Sequence, residues 1–195
     1  AVAIDRTART VHTSAGRRIG YDAVVLATGS RPFVPPVPGN DLDRCFVYRT
    51  LEDLDAIRAV AAAAGPGAAG IVVGGGLLGL EAANTIRLLG LSPHVLERSP
   101  RLMPLQVDDG GGALLNRIVA DLGITVHTEV AVTGIAEDRD AITVSLSTGR
   151  TISAALLVFA AGVRPRDELA RDCGLAIADR GGVLTDLGCA SSDPR

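Results

Sequence analysis

Hydrophobic positions along the chain fall into short runs separated by polar and glycine-rich turns, and the spacing within those runs changes several times. Val2-Ala3-Ile4 and Thr10-Val11-His12-Thr13 flank a polar turn, and Arg18-Ile19-Gly20-Tyr21-Asp22 leads into Ala23-Val24-Val25-Leu26-Ala27. These segments predict strands, and the last, apolar on both faces, predicts a buried parallel strand. Thr28-Gly29-Ser30 ends it, and Pro32, Pro35, Pro36, Pro38 and Gly39 mark a linker. Thr50-Leu51-Glu52-Asp53 has the form of a capping box, in which the Thr50 hydroxyl accepts from the Asp53 amide while the Asp53 carboxylate returns to Thr50. The helix that follows carries Leu54, Ile57, Ala61 and Ala64 in one stripe and is stopped by Gly65-Pro66-Gly67.

Past that stop the pattern alternates strand and helix. Ile71-Val72-Val73 predicts a short strand, Gly74 to Gly79 a tight turn, Leu80 to Gly90 a helix, and His94-Val95-Leu96-Glu97 the next strand. Ala113 to Leu122 predicts a helix with Leu114, Ile118 and Leu122 on one face, and Ile124 to His127 a third strand, completing β-α-β-α-β. Val130 to Ile135, Ala141 to Leu146 and Thr151-Ile152 then read as an antiparallel meander, split by Asp138-Arg139-Asp140 and Ser147-Thr148-Gly149-Arg150. Leu156 to Ala160 is again apolar on both faces and ends in Ala161-Gly162, as the earlier run ends in Thr28-Gly29. The predicted class is α/β.

Composition narrows this picture. A chain of 195 residues suits one domain or a closely joined pair, and its 47% hydrophobic and 21% charged residues predict a packed core rather than a disordered tail. The net charge is -3 and no basic run is longer than Arg17-Arg18, so a nucleic acid partner has no electrostatic footprint. Every basic side chain is arginine; without lysine, neither Schiff-base chemistry nor a P-loop lysine is possible. Cys45, Cys173 and Cys189 are odd in number, far apart and without a C-x-x-C pair, which predicts reduced cytoplasmic thiols rather than a disulfide framework or zinc site. His12, His94 and His127 are too widely separated to read as a metal set. No signal peptide is visible, and the long uncharged stretch Ala59 to Leu80 holds seven glycines and Pro66, so it reads as helix end, turn, strand and loop rather than a membrane span. Its start without Met and its end at Ser191 to Arg195 suggest a fragment of a longer chain.

One motif carries chemistry. Gly74, Gly76 and Gly79 form G-x-G-x-x-G after a predicted strand and before a predicted helix, and Glu97 follows eighteen positions later at the end of the next strand. Gly74 permits the sharp turn, Gly76 removes the side chain where a diphosphate must touch backbone, and Gly79 lets the helix press on the strand. Free amides and the positive dipole end of the helix then bind the phosphates without lysine. Glu97 suits the two hydroxyls of an adenosine ribose and would repel a 2′-phosphate, favouring NADH over NADPH; Arg98 and Arg101, which can turn to hold a phosphate, keep NADPH as the alternative. Glu81, among Leu80, Ala82 and Ala83, either faces the site and accepts from a nicotinamide carboxamide or faces water.

Ala27-Thr28-Gly29-Ser30, Val72 to Ala83 and Ala160-Ala161-Gly162-Val163-Arg164-Pro165 together resemble the pyridine nucleotide-disulfide oxidoreductase flavoproteins. Cys45 to Thr50, Leu102 to Asp108 and Arg164 to Ala170 look most like the large subunit of NAD(P)H-dependent nitrite reductase. The resemblance implies an NADH domain, residues 41–163, inserted into an incomplete FAD domain, residues 1–40 and 164–195. It implies that the Gly76 and Leu77 amides face pyrophosphate, Glu97 the ribose and Glu81 the nicotinamide amide, and that Gly162 lets nicotinamide approach the flavin. Thr28 and Gly29 join the cofactor-binding set on the same footing, and no side chain is expected to be catalytic, because hydride passes between cofactors that the protein orients. The first glycine motif of the FAD domain would precede Ala1 and its second acidic motif would follow Arg195, while iron-sulfur and sirohaem modules would belong to the parent chain. Two other readings stand beside this one: a ferredoxin or rubredoxin reductase, and a non-catalytic nucleotide-sensing module.

Overall fold

The computed structural model describes residues 1–193; Pro194 and Arg195, the end of the expected 164–195 segment, lie outside the described residues. In chain order the elements are β1 (Ala3–Asp5), β2 (Thr10–His12), β3 (Arg18–Gly20), β4 (Ser30–Pro32), β5 (Cys45–Val47), α1 (Leu51–Ala64), β6 (Ala69–Val73), α2 (Leu77–Leu88), β7 (Ser92–Leu96), α3 (Asp109–Asp121), β8 (Thr125–His127), β9 (Val132–Asp138), β10 (Ala141–Leu146), β11 (Thr151–Ala154), β12 (Leu156–Phe159), β13 (Val163–Pro165) and α4 (Glu168–Asp172). They divide into two units, one made of Pro32–Gly162, the other of Ala1–Arg31 with the segment from Val163 onward.

The larger unit is built on a parallel sheet in the order β5-β12-β6-β7-β8. Parallel neighbours need crossover connections, and α2 and α3 supply them between β6, β7 and β8, as the alternating pattern predicts. Helices cover one face: Ile57 and Ala61 of α1, Ala82, Ala83 and Ile86 of α2 and Val119 of α3 share a core with Val72, Val95, Leu156 and Val158. The antiparallel meander β11-β10-β9 covers the other, where Val132, Ile135, Ile142, Val144 and Leu146 meet Ile71, Leu96, Leu157 and Phe159. Successive residues of β12 thus enter opposite cores, which is why that run is apolar on both faces. By contrast, β10 alternates, burying Ile142, Val144 and Leu146 while Thr143 and Ser145 stay partly exposed.

The capping box forms: Asp53 N–H donates to Thr50 Oγ1 (3.3 Å) and Thr50 N–H to Asp53 Oδ2 (2.8 Å), and Gly65 ends α1 with φ 78°. Helix α2 begins at Leu77, earlier than expected, because Gly76 already serves as its N-cap. In α3 the inner face is not the predicted leucine stripe. Leu114, Ile118 and Leu122 are each 50% exposed, whereas Gly112 and Val119 are buried. A Cβ at Gly112 would lie 2.8 Å from Arg101 Cδ, so the helix is seated against an arginine stem through a glycine, a contact that hydrophobic periodicity does not register.

The smaller unit holds the antiparallel sheet β1-β2-β3, the β13-β4 ribbon and α4. Arg6 ties its ends, with Nε 2.8 Å from Asp193 Oδ2 and Nη1 donating to the Cys173 and Gly174 carbonyls. The buried parallel strand expected at Ala23–Ala27 is not present: the segment makes no sheet pairing among the described residues, and Val25 is 89% exposed. With Ile4, Tyr21, Leu175 and Val183 it lines an open cavity of about 490 Å³. A strand apolar on both faces needs neighbours along its edges, and no described segment supplies them. Among the described residues no helix is long and apolar enough to cross a membrane, and Ala59 to Leu80 resolves into the end of α1, a turn, β6, the glycine loop and the start of α2.

Candidate functional site

The glycine loop connects the C-terminal end of β6, a strand inside the parallel sheet, to α2. Gly74 leaves the strand at φ 114°, a conformation that disfavours any side chain, and a Cβ there would lie 2.5 Å from the Ala160 carbonyl oxygen at the exit of β12. At Gly79 a Cβ would fall 1.9 Å from the Gly74 carbonyl oxygen, so the first turn of α2 is pressed onto the loop. Gly76 differs from both: a Cβ would meet nothing within 4 Å, leaving open space over its backbone.

That open space lies at the start of a helix whose first amides have no side-chain cap. The Thr50 hydroxyl caps α1 and the Asp108 carboxylate caps α3, accepting from Gly111 N–H at 2.8 Å. Helix α2 has Gly76 as N-cap, no side-chain hydrogen bond to it and no acidic residue in its first turn. Its positive dipole end is therefore available to an anion.

Glu97, just past β7, is partly buried and aimed at this loop. Its Oε2 accepts from Gly75 N–H at 2.7 Å and its Oε1 from Ser99 N–H at 2.7 Å. It is therefore not a solvated strand end. Each oxygen keeps a further lone pair for a donor such as a sugar hydroxyl. Arg98 is exposed. Arg101 does not meet the expectation that it could turn to a phosphate: its guanidinium donates to the carbonyls of Val107 (3.1 Å) and Pro104 (3.3 Å) and to Asp109 (2.6 Å). Glu81 sits on the exposed side of α2, ahead of buried Ala82 and Ala83.

Gly74, Gly76, Leu77, Gly79 and Glu97 thus surround one loop. Gly162 lies just beyond Ala160, the residue that crowds Gly74; its φ is 105°, a Cβ would meet nothing within 4 Å, and its carbonyl accepts from Phe33 N–H at 2.9 Å. Thr28 and Gly29 belong to the smaller unit, where the Thr28 hydroxyl donates to the Arg166 carbonyl (2.6 Å) and the Gly29 carbonyl accepts from Arg166 N–H (2.9 Å).

Two features escape the pattern of the sequence. The Ser99–Val107 segment closes over Gly75, with Leu102 fully buried and its Cδ2 2.6 Å from where a Gly75 Cβ would stand. Pairing of β7 with β8 also brings His94 and His127 together, Nδ1 to Nε2 at 3.1 Å with the rings stacked at 5.4 Å. Burial lowers the pKa of both, and the charges of His94 and Arg150 add to the effect at His127. Among the described residues no group of three or more metal-ligating side chains assembles.

A family model described as pyridine nucleotide-disulphide oxidoreductase matches residues 1–195. The chain is 50% identical over 191 residues to the nitrite reductase [NAD(P)H] large subunit of Klebsiella oxytoca, covering 98% of this chain and 20% of that protein. It is 44% identical over 199 residues to the nitrite reductase (NADH) large subunit of Escherichia coli strain K12, covering 100% of this chain and 23% of that one. The chain therefore spans about a fifth of the length of these relatives. Among solved structures, a ferredoxin reductase from Rhodopseudomonas palustris superposes with a TM-score of 0.91 at 34% identity, over 99% of this chain and 47% of that one. With its glycine loop between a central parallel strand and an uncapped helix, and with a family match along its whole length, the chain belongs to the pyridine nucleotide-disulphide oxidoreductase family.

Proposed function

We propose that this chain is the NADH-binding portion of a cytoplasmic FAD-dependent oxidoreductase of the nitrite reductase large-subunit type, holding NADH for hydride transfer to the flavin. The observation that carries the reading is the uncapped N-terminus of α2 beneath open space at Gly76, with the Glu97 carboxylate fastened to the same loop. This arrangement fits a dinucleotide. Amides of Gly76 and Leu77 would face the diphosphate, and Glu97 the adenosine ribose. Glu81 would accept from the nicotinamide amide, Gly162 would leave room for the ring, and Thr28 and Gly29 would belong to the flavin side. The domains would be 41–163 for NADH, with 1–40 and 164–195 contributing to FAD binding. When bound, NADH supplies a hydride from nicotinamide C4 and FAD supplies N5 to receive it.

The work of the chain is orientation. Backbone amides fix the diphosphate, and a glycine without Cβ lets it touch the helix end. The Glu97 carboxylate repels a 2′-phosphate, which supports NADH over NADPH; of the nearby arginines, exposed Arg98 stands ready for such a phosphate and Arg101 does not. Iron-sulfur and sirohaem modules of the parent protein would carry the electrons onward. The likeness to a ferredoxin reductase supports a second reading, in which electrons leave on a separate carrier protein. Calorimetric titration of the intact protein tests the binding claim: heat with NADH and a weaker response to NADPH is expected, and a folded protein silent to both overturns it. Supplying nitrite or an oxidised carrier to the NADH-reduced protein decides between the two acceptors.

A further inference from the structure

We infer that Arg101 is a positioning residue for the dinucleotide, acting at a distance by clamping the loop that fixes Gly75. The inference rests on the reading above that the glycine loop holds NADH. Both polar groups of the Gly75 backbone are engaged: its N–H donates to Glu97 Oε2 at 2.7 Å, and its carbonyl accepts from Met103 N–H at 2.9 Å. Gly75 stands between Gly74, which makes the turn, and Gly76, which faces the open space. The orientation of the Gly76 amide therefore follows from how firmly Glu97 and Met103 hold the residue before it.

Met103 reaches Gly75 with φ 47°, a left-handed conformation that its surroundings must impose. Those surroundings are supplied largely by one side chain. Arg101 Nη2 donates to the Pro104 carbonyl, Nε to the Val107 carbonyl and Nη1 to Asp109, so three donors of a rigid fork span the loop from just past Met103 to the first turn of α3. The stem lies against Gly112, where no larger residue fits without displacing it, and Leu102, between Arg101 and Met103, is completely buried. Met103 is thus held from both sides, by Leu102 in the core and by the arginine fork beyond it. Arg101 neither points into the open space at Gly76 nor retains a free donor pattern for phosphate, so its effect reaches a ligand only through Met103 and Gly75.

The test compares NADH with reduced nicotinamide mononucleotide, which delivers the same hydride but lacks the adenosine half and the diphosphate bridge. Steady-state oxidation of each by the intact protein gives a ratio of kcat/KM values. In R101Q this preference for NADH falls at least tenfold, because the variant disorders the diphosphate seat. In R101K, which retains charge and stem but cannot reach three acceptors at once, it falls about threefold. A purely structural defect would lower both substrates together and leave the ratio unchanged. An unchanged ratio in R101Q overturns the inference; if R101Q does not fold, an unchanged ratio in R101K overturns it equally. Failure of the unmodified protein to oxidise NADH or NADPH removes the underlying reading and this inference with it, whereas normal oxidation with an unmoved ratio removes the inference alone.

Discussion

Glu97 illustrates how one side chain can organise a site before any ligand arrives. Its two oxygens accept amides from opposite flanks, Gly75 on the loop after β6 and Ser99 on the loop after β7, so it joins the two crossovers at the C-terminal end of the sheet, where the diphosphate is proposed to sit. E97Q replaces one acceptor oxygen with an NH2 that cannot accept from an N–H, and one of those amides loses its partner. Charge-assisted hydrogen bonds are worth roughly 1.5–3 kcal/mol, so NADH affinity is expected to fall about ten- to a hundredfold, with NADPH less affected because a negative charge has gone. Titrating the variant with both nucleotides measures the two changes together. At this scale the sequence was informative where geometry is local: the spacing of Gly74, Gly76, Gly79 and Glu97 is enough to bring them around one turn. It offered Arg101 to a phosphate and gave no sign of its partners Pro104, Val107 and Asp109, which are close in sequence but gather around the guanidinium only in a loop where Met103 turns left-handed.

Among the elements, α2 shows two glycines under opposite constraints. G79A places a methyl group 1.9 Å from the Gly74 carbonyl oxygen, and loss of stability comparable to core overpacking, about 1–3 kcal/mol, is expected. G76A places its methyl in empty space at φ -82°, so the melting temperature should stay near that of the unmodified protein while NADH binding is lost. Thermal melts beside titrations separate the two. The paired histidines of β7 and β8 add a pH dependence. Burial depresses both from 6.5, so below that value the unfolded chain takes up protons more readily than the folded one. Stability is therefore intact above about pH 6.5 and declines as pH falls toward the lowered folded values; H127Q should flatten the dependence of the urea midpoint between pH 7.5 and pH 5. Element identity was legible wherever a period ran unbroken, as in β12, β10 and the capping box of α1. It misled in α3, where three regularly spaced large side chains, Leu114, Ile118 and Leu122, outweighed the buried Gly112, and in Ala23–Ala27, where an apolar run found no neighbour.

For the whole molecule, the match along the full length and the TM-score of 0.91 place the architecture within one family, while the relatives' greater length leaves the final electron acceptor to the experiments above. Strand order was not legible from periodicity, because β6 read simply as a short apolar run and β5 was not expected as a strand at all; their separation by β12 is a long-range choice. That choice governs the order of assembly. During synthesis β5, α1, β6 and the glycine loop emerge well before Leu156, yet among the described residues β5 has its only sheet partner in β12, and the Ala160 carbonyl that backs Gly74 comes just behind that strand. A nascent chain that has emerged from the ribosome only as far as Ala155 should leave β5 unpaired and bind no NADH, and lengthening it until Gly162 has also emerged should restore binding in one step. Protease accessibility of ribosome-bound chains of increasing length would reveal that threshold. The proposed nucleotide cradle is thus closed by a keystone strand that leaves the ribosome long after the loop it backs.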